Sequence, residues 1–278
     1  MDILSDVLDA IALRATDTST FKLDIEYKGR LDADEAVTYI LLSGRCAITS
    51  QERILLLPGD AMLLLGGVEH TLHRPDSGLG ERETVRLIRC VFKFERALPH
   101  PLPRCFPTLL NLKAHYLTDE TELGRTAVLL DGELINGLPG INYVALRLAE
   151  IVFVELLRRC QLEGSPPPFL AALSDPIVCS ALRAIHSEPA KAWKVEKLAK
   201  EVGLSRTVFS ARFHRFVGEP PLRYLRMWRL LRARRGLERQ AVPIREAARN
   251  AGYHSSSGFS RAFSRLFGYP PSRIPRPE

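Results

Sequence analysis

The feature that most narrows what this chain folds into is an internal repeat. Residues 203–221 read GLSRTVFSARFHRFVGEPP, and residues 252–271 read GYHSSSGFSRAFSRLFGYPP. Ala199 and Gly203 recur 49 positions on as Ala248 and Gly252. Phe209, Phe213, Gly218, Pro220 and Pro221 recur 50 positions on as Phe259, Phe263, Gly268, Pro270 and Pro271. The second copy therefore carries one extra residue in its turn. A repeat of this kind points to two copies of one supersecondary unit.

Each copy has a physical logic. Val195, Leu198, Ala199 and Val202 fall at helical spacing and predict one short amphipathic helix. Gly203 stops it, since glycine tolerates the left-handed backbone of a helix end. Leu204 plugs the turn, and Ser205 is placed to cap the next helix. That helix is expected to bury Val208, Phe209, Phe213 and Phe216. The second copy offers Ile244, Ala247 and Ala248, then Gly252, Tyr253 and the cap Ser255, then Phe259, Phe263 and Phe267. Helix, glycine turn and second helix make a helix-turn-helix, whose second helix can enter the major groove of DNA.

Charge agrees with that reading. The chain of 278 residues has a net charge of +7. Residues 170–278 carry 21 Lys+Arg against 8 Asp+Glu, whereas residues 1–169 carry 18 against 24. A basic C-terminal part on a slightly acidic N-terminal part suggests nucleic acid as the partner of the former. No polybasic run points to a membrane surface, and no apolar run reaches the ~18 residues of a membrane span. The first residues, MDILSDVLDAIALRA, are acidic and read as an amphipathic helix over 3–13, not as a signal peptide. Cys46, Cys90, Cys105, Cys160 and Cys179 are odd in number and lack metal-site spacing, so they read as core fillers in a reducing, cytoplasmic setting.

In the N-terminal half the hydrophobic period is two. Residues 21–27 alternate as a half-buried strand. Residues 37–42, 46–49, 53–57, 61–65 and 85–94 follow as short strands split by Ser43-Gly44 and Pro58-Gly59-Asp60. Such strands predict a small antiparallel sandwich or barrel. PHPLPRCFP, residues 99–107, reads as an extended strap. Residues 122–136 and 141–161 return to helical period. The apolar face of the latter, from Ile141 through Val144, Ala145, Leu148, Ile151 and Val152 to Leu156, serves either packing on the barrel or a dimer surface. Gly164-Ser165-Pro166-Pro167-Pro168 is the candidate linker. Asp175-Pro176 caps a further helix. Pro220-Pro221 opens a long helix studded with Arg223, Arg226, Arg229, Arg232, Arg234 and Arg235, some of which are expected to reach phosphates.

These residues carry a family resemblance. Leu198 to Ser205 (LAKEVGLS), Phe213 to Pro221 (FHRFVGEPP), Ala248 to Tyr253 (ARNAGY) and Phe259 to Pro271 (FSRAFSRLFGYPP) resemble the DNA-binding domain of the AraC/XylS family of bacterial transcription regulators. The N-terminal half, with its Gly44 and Pro58-Gly59-Asp60 turns and Glu69-His70, resembles the cupin sensor domain of one branch of that family.

The resemblance implies a two-domain α+β protein. An N-terminal antiparallel, cupin-like β-barrel with flanking helices spans 1–165, its barrel at about 20–100 and its helices at about 110–162. A linker at 166–172 joins it to an all-α double helix-turn-helix domain at 173–278. The two units, 195–217 and 244–267, are joined by a helix at 220–238. It implies a regulator that binds promoter DNA in two successive major grooves and is controlled by a small-molecule effector of unread identity or by dimerisation through its N-terminal domain, the alternative being a domain that only dimerises. A homodimer and RNA polymerase are among the candidate partners. By position, the DNA-contacting residues are Ser205, Arg206, Thr207, Ser210 and His214 in the first unit. In the second they are Ser255, Ser256, Ser257, Ser260, Arg261 and Arg265. Arg212 lies four residues from Val208 and is expected along the core edge.

Two other classes are weighed. A cupin metalloenzyme needs about three converging ligands; the sequence offers Glu69, His70 and His73, with the last two on opposite sides of a strand. No nucleophile motif or phosphate loop is visible, so neither catalysis nor a cofactor is expected. A protein-interaction module would use the repeats to hold a partner helix.

Overall fold

Helix α1 (Ile3–Ala10) comes first in this computed structural model, which describes residues 2–50, 52–75, 84–94, 109–113, 121–162, 166–240 and 242–274. Asp2 caps α1, accepting the Leu4 and Ser5 N–H groups. The helix ends before the expected residue 13 because Ala12 turns to a positive φ of 55° and a strand starts at Arg14. The described chain forms two compact units, one of residues 12–94 and 109–162, the other of residues 2–11 and 166–274. The sequence put α1 with the barrel. Its apolar face, Ile3, Leu4, Val7 and Ala10, is buried, and it packs in the helical unit.

Among the described residues the first unit has nine antiparallel strands: β1 (Arg14–Leu23), β2 (Glu26–Arg30), β3 (Glu35–Ser43), β4 (Cys46–Thr49), β5 (Arg53–Leu56), β6 (Ala61–Leu65), β7 (Glu69–His73), β8 (Val85–Lys93) and β9 (Leu109–Leu112). One sheet runs β1-β8-β3-β6-β9 and the other β2-β7-β4-β5. Val37, Tyr39, Leu41, Met62, Leu64 and Leu87 of the first face Cys46, Ile48, Leu56 and Leu72 of the second in one core. The expected single strand at 21–27 is split between β1 and β2, and Ile25, read as half-buried, is exposed at the corner. Strand β9 pairs with β6 and lies at the start of the stretch, about 110–162, that the sequence assigns to helices; its four residues are too short for a period to show.

Two helices, α2 (Glu122–Asn136) and α3 (Ile141–Leu162), form a hairpin on this unit. Ala145, Ala149, Val152, Phe153 and Leu156 bury against the outer face of the large sheet, where Phe153 meets Phe92 at 4.9 Å between ring centres. Strand β3 is therefore covered on both faces, which is why AVTYILL does not alternate. The proline strap lies outside the described residues.

The helical unit holds α4 (Pro168–Ser174), α5 (Pro176–Ser187), α6 (Val195–Glu201), α7 (Arg206–Val217), α8 (Pro221–Gln240), α9 (Ile244–Asn250) and α10 (Ser256–Phe267). A short 3₁₀ turn, Pro271–Arg273, follows. The stretch expected as a linker, 166–172, is mostly α4. Proline in its first turn suits a helix start, and Phe169, Leu170 and Ala172 are buried, with α4 packed on α7. Helix α8 is the hub. Tyr224, Leu225, Met227, Trp228, Leu230 and Leu231 are all buried, so it has apolar neighbours around most of its circumference. Among the described residues no single helix is long and apolar enough to cross a membrane.

Candidate nucleic-acid interface

The two halves of the repeat fold alike, down to single hydrogen bonds. Gly203 and Gly252 take φ of 70° and 72°, and Leu204 and Tyr253 donate N–H bonds of 2.9 Å to the carbonyls of Ala199 and Ala248. Ser205 and Ser255 cap α7 and α10, the second helix of each unit, accepting the N–H groups of Val208 and Gly258. Gly218 and Gly268 end them with φ of 77° and 79°. The extra residue of the second copy lies in the turn between α9 and α10. Phe209 and Phe213 fill one core, and Phe259 and Phe263 the other, each pair with ring centres 5.6–5.7 Å apart.

Burial of the phenylalanines leaves the opposite faces of α7 and α10 in solvent. Ser205, Arg206, Thr207 and His214 are exposed, and Ser210 is half-buried. In the second unit Ser255, Ser257, Arg261 and Arg265 are exposed, while Ser256 and Ser260 are half-buried. Val208, expected in the core, is exposed on the same side; the buried stripe is Phe209, Phe213 and Val217. The Val208 methyl groups thus join the exposed surface of α7.

The candidate residues are not equally free. Ser205 and Ser255 spend an acceptor on their own helices, though each hydroxyl keeps its proton to donate. Arg206 pairs with Glu196 of α6 at 3.0 Å, both exposed. Arg261 has no carboxylate within 4.0 Å among the described residues. Arg212 turns away: its Nη2 donates to Asp175 at 2.5 Å, and Asp175 also caps α5. Burial by itself would raise the Asp175 carboxyl, but the bonds from Arg212 and from the Val178 and Ile177 N–H groups hold it below its ordinary value.

Three arginines of α8 are fasteners. Arg229 donates to the Pro189 and Lys191 carbonyls, and its guanidinium lies where a Cβ on Gly252 would approach within 3.2 Å. Arg234 binds Glu238 and stands over Phe267. Arg235 donates to the Asp9 carbonyl at the end of α1. Arg223 and Arg226 remain exposed, beside Arg265 in a groove of about 460 Å³ between α8 and α10. Arg245, Arg249 and His254, absent from the sequence-based set, share a second groove with Ser255 and Ser256 at the start of α10. Their signal was the i, i+4 spacing of Arg245 and Arg249 opposite buried Ala247.

In the sandwich, His70 points into the core and donates or accepts a 2.8 Å bond with the Tyr39 hydroxyl. Burial lowers the His70 pKa and pushes the Tyr39 hydroxyl above its ordinary range. Gly29 leaves room for the imidazole, since a Cβ there would overlap it. Glu69 is exposed on the far side with Arg30. Among the described residues no three His, Cys, Asp or Glu side chains gather as a metal site.

A family model described as a helix-turn-helix domain matches residues 198–276, and one described as cupin matches residues 2–161. A Streptomyces lividans protein described as an AraC-like transcription regulator is 31% identical over 98% of this chain and 97% of its own length. The chain belongs to the AraC-like family of transcription regulators. As such it is a DNA-binding transcription regulator with a cupin-type N-terminal sandwich and a C-terminal double helix-turn-helix. The HTH-type transcriptional regulator AlkR of Acinetobacter baylyi is 29% identical over 98% of each chain. Unsaturated-fatty-acid-bound ToxT from Vibrio cholerae is 14% identical, covering 93% of this chain and 94% of its own, with a TM-score of 0.40.

Proposed function

We propose that α7 and α10 enter two successive major grooves on one face of promoter DNA, about 34 Å apart. Thr207, Ser210, His214 and exposed Val208 face bases in the first groove. Ser256, Ser257, Ser260 and Arg261 face bases in the second. Arg206, Arg265, Ser205 and Ser255 lie toward the backbone, joined by Arg223, Arg226, Arg245 and Arg249. The observation that carries this is the solvent exposure of equivalent faces on two helices capped and stopped in the same way. Arg261 supplies the strongest base contact, through the two-pronged grip of a guanidinium on guanine.

The sandwich unit is proposed to dimerise the chain and to respond to a small-molecule effector. Val128 and Ile135 on α2, and Val144 and Ile151 on α3, are exposed at intervals of seven residues. Such seams are what a helix hairpin offers to a second copy. An effector acts by binding one conformation better than another. In this reading the chain is cytoplasmic, performs no catalysis of its own, and counts RNA polymerase among its partners. Gel-shift titration of promoter fragments over a salt series tests the core: tight binding to one fragment that weakens steeply with salt supports it, and equal binding to all fragments contradicts it.

A further inference from the structure

The helical unit has a recess of about 560 Å³ bounded by α1, α8 and α9. Its charged lining is Arg229, Arg232, Arg235 and Arg239 against Asp6 and Asp9. The floor is apolar and shallow in side chain, with Ala10, Ala233, Ala247 and Ala251 buried.

Arg232, Arg235 and Arg239 fall at i, i+3 and i+7, so they form one row along α8. Arg229 and Arg235 are held by carbonyl oxygens. Arg232 and Arg239 are exposed, and Arg232 makes a long contact of 3.5 Å to the His186 carbonyl. Asp9 already shows what the row accepts. Its carboxylate lies 2.7 Å from Arg239 and 3.6 Å from Arg235. Asp6, one helical turn away, is bonded to His186 Nδ1 at 3.3 Å, and burial pushes its carboxyl toward the neutral form. Glu238 also touches Arg235, at 3.5 Å, but its other oxygen is engaged by Arg234. The recess thus already holds one carboxylate, that of Asp9, on the arginine row, while Arg232 and Arg239 stay exposed toward a further anion.

The recess does not belong to the DNA-reading faces. Helix α9 lines it with Ala247, Asn250 and Ala251, and lines the groove beside Ser255 and Ser256 with Arg245, Glu246 and Arg249. At 100° per residue these two sets lie on opposite sides of the helix. A ligand here would be a small anion reaching the unit from behind its DNA face.

We propose that this recess binds a small organic dicarboxylate, each carboxylate gripped by the arginine row and the carbon skeleton laid on the alanine floor. Guanidinium forks suit carboxylates through paired N–H bonds, and the volume falls within that of small-molecule sites. The site goes beyond the DNA-reading assignment and does not depend on which bases α7 and α10 contact.

Calorimetric titration of the full chain with glutarate at constant ionic strength tests it, with acetate and sulfate as controls. Saturable 1:1 binding of glutarate with Kd below about 1 mM is expected. Acetate and sulfate should bind at least about tenfold more weakly. The paired substitution Arg232→Gln/Arg239→Gln should cut glutarate affinity at least about tenfold with the melting temperature retained, whereas Asp9→Asn, which removes the built-in competitor, should tighten it several-fold. Sulfate binding as well as glutarate, glutarate binding indifferent to both variants, or no saturable heat with glutarate would each overturn the proposal. Promoter binding by the same preparation, measured separately, distinguishes a failed site from a failed DNA-reading assignment.

Discussion

Arg212, on the first reading helix, donates to Asp175 at 2.5 Å, and Asp175 in turn caps α5 through the Ile177 and Val178 N–H groups. One carboxylate therefore satisfies a helix start and fixes α7 against its neighbour. Asp175→Ala should destabilise the helical unit by about 1–2 kcal/mol from the lost cap. Denaturant titration checks it, and Asp175→Asn, which can still cap, should recover part of the loss. The depressed carboxyl also makes this contribution present above the unfolded value of 3.8 and lost as pH falls through the lower folded value.

Phe213 and Arg261 test the assignment of faces. Phe213 is fully buried against Phe209 and Tyr224, so Phe213→Ala should cost about 3–5 kcal/mol of stability. Arg261 is exposed, so Arg261→Ala should leave the melting temperature unchanged and weaken promoter binding by about 1–3 kcal/mol. Melting curves and anisotropy titrations on the two variants separate the effects; the reverse ranking would mean the faces are exchanged.

His186 gives the helical unit a pH dependence of definite sign. It is fully buried, stacked 3.9 Å from Trp228, and bonded through Nε2 to Tyr224 and through Nδ1 to Asp6. The network fits a neutral ring with its proton on Nδ1, the Tyr224 hydroxyl donating to Nε2. Burial and the Arg232 charge lower its pKa to about 3, outweighing nearby Asp6, which burial pushes toward its own neutral form. Unfolded histidine binds a proton near 6.5, so between that value and about 3 the unfolded chain holds more protons. Stability is full above pH 6.5 and falls with acid. Melting from pH 7.5 to 5 should show this slope, and His186→Gln should flatten it.

The α2–α3 hairpin predicts the oligomeric state. Ile151 and Val144 are exposed while Val152 and Ala145 beside them are buried, so the helix is apolar on two sides. Val144→Asp with Ile151→Asp should turn a dimer into a monomer in sedimentation experiments without changing the melting of the sandwich. A wild-type chain that is already monomeric at micromolar concentration would count against the seam.

How much of this was legible beforehand follows the physics of each signal. The duplicated glycines, cap serines and phenylalanines are local constraints, and they mark both helix-turn-helix units almost to the residue. Ala12, Asp24 and Ile25 are not: the sequence carries no sign that the chain turns there, so α1 was drawn too long and β1 ran into β2. The proline run before α4 read as linker because prolines mask a helix whose burial comes from distant partners. The arginines of α8 look alike in sequence. Only packing tells Arg229 and Arg235, tied to carbonyls, from Arg223 and Arg226, left in solvent. Val208 precedes the buried Phe209–Phe213–Val217 stripe by one position, and spacing alone does not say on which side of it an apolar neighbour falls.

The central claim is that two equivalent helix faces meet one side of a duplex. Hydroxyl-radical footprinting of the full chain on its promoter measures this directly. Two protected patches about 10–10.5 base pairs apart on the same face are expected, with Arg261→Ala weakening the second patch before the first. A single patch, or two on opposite faces of the helix, would contradict it.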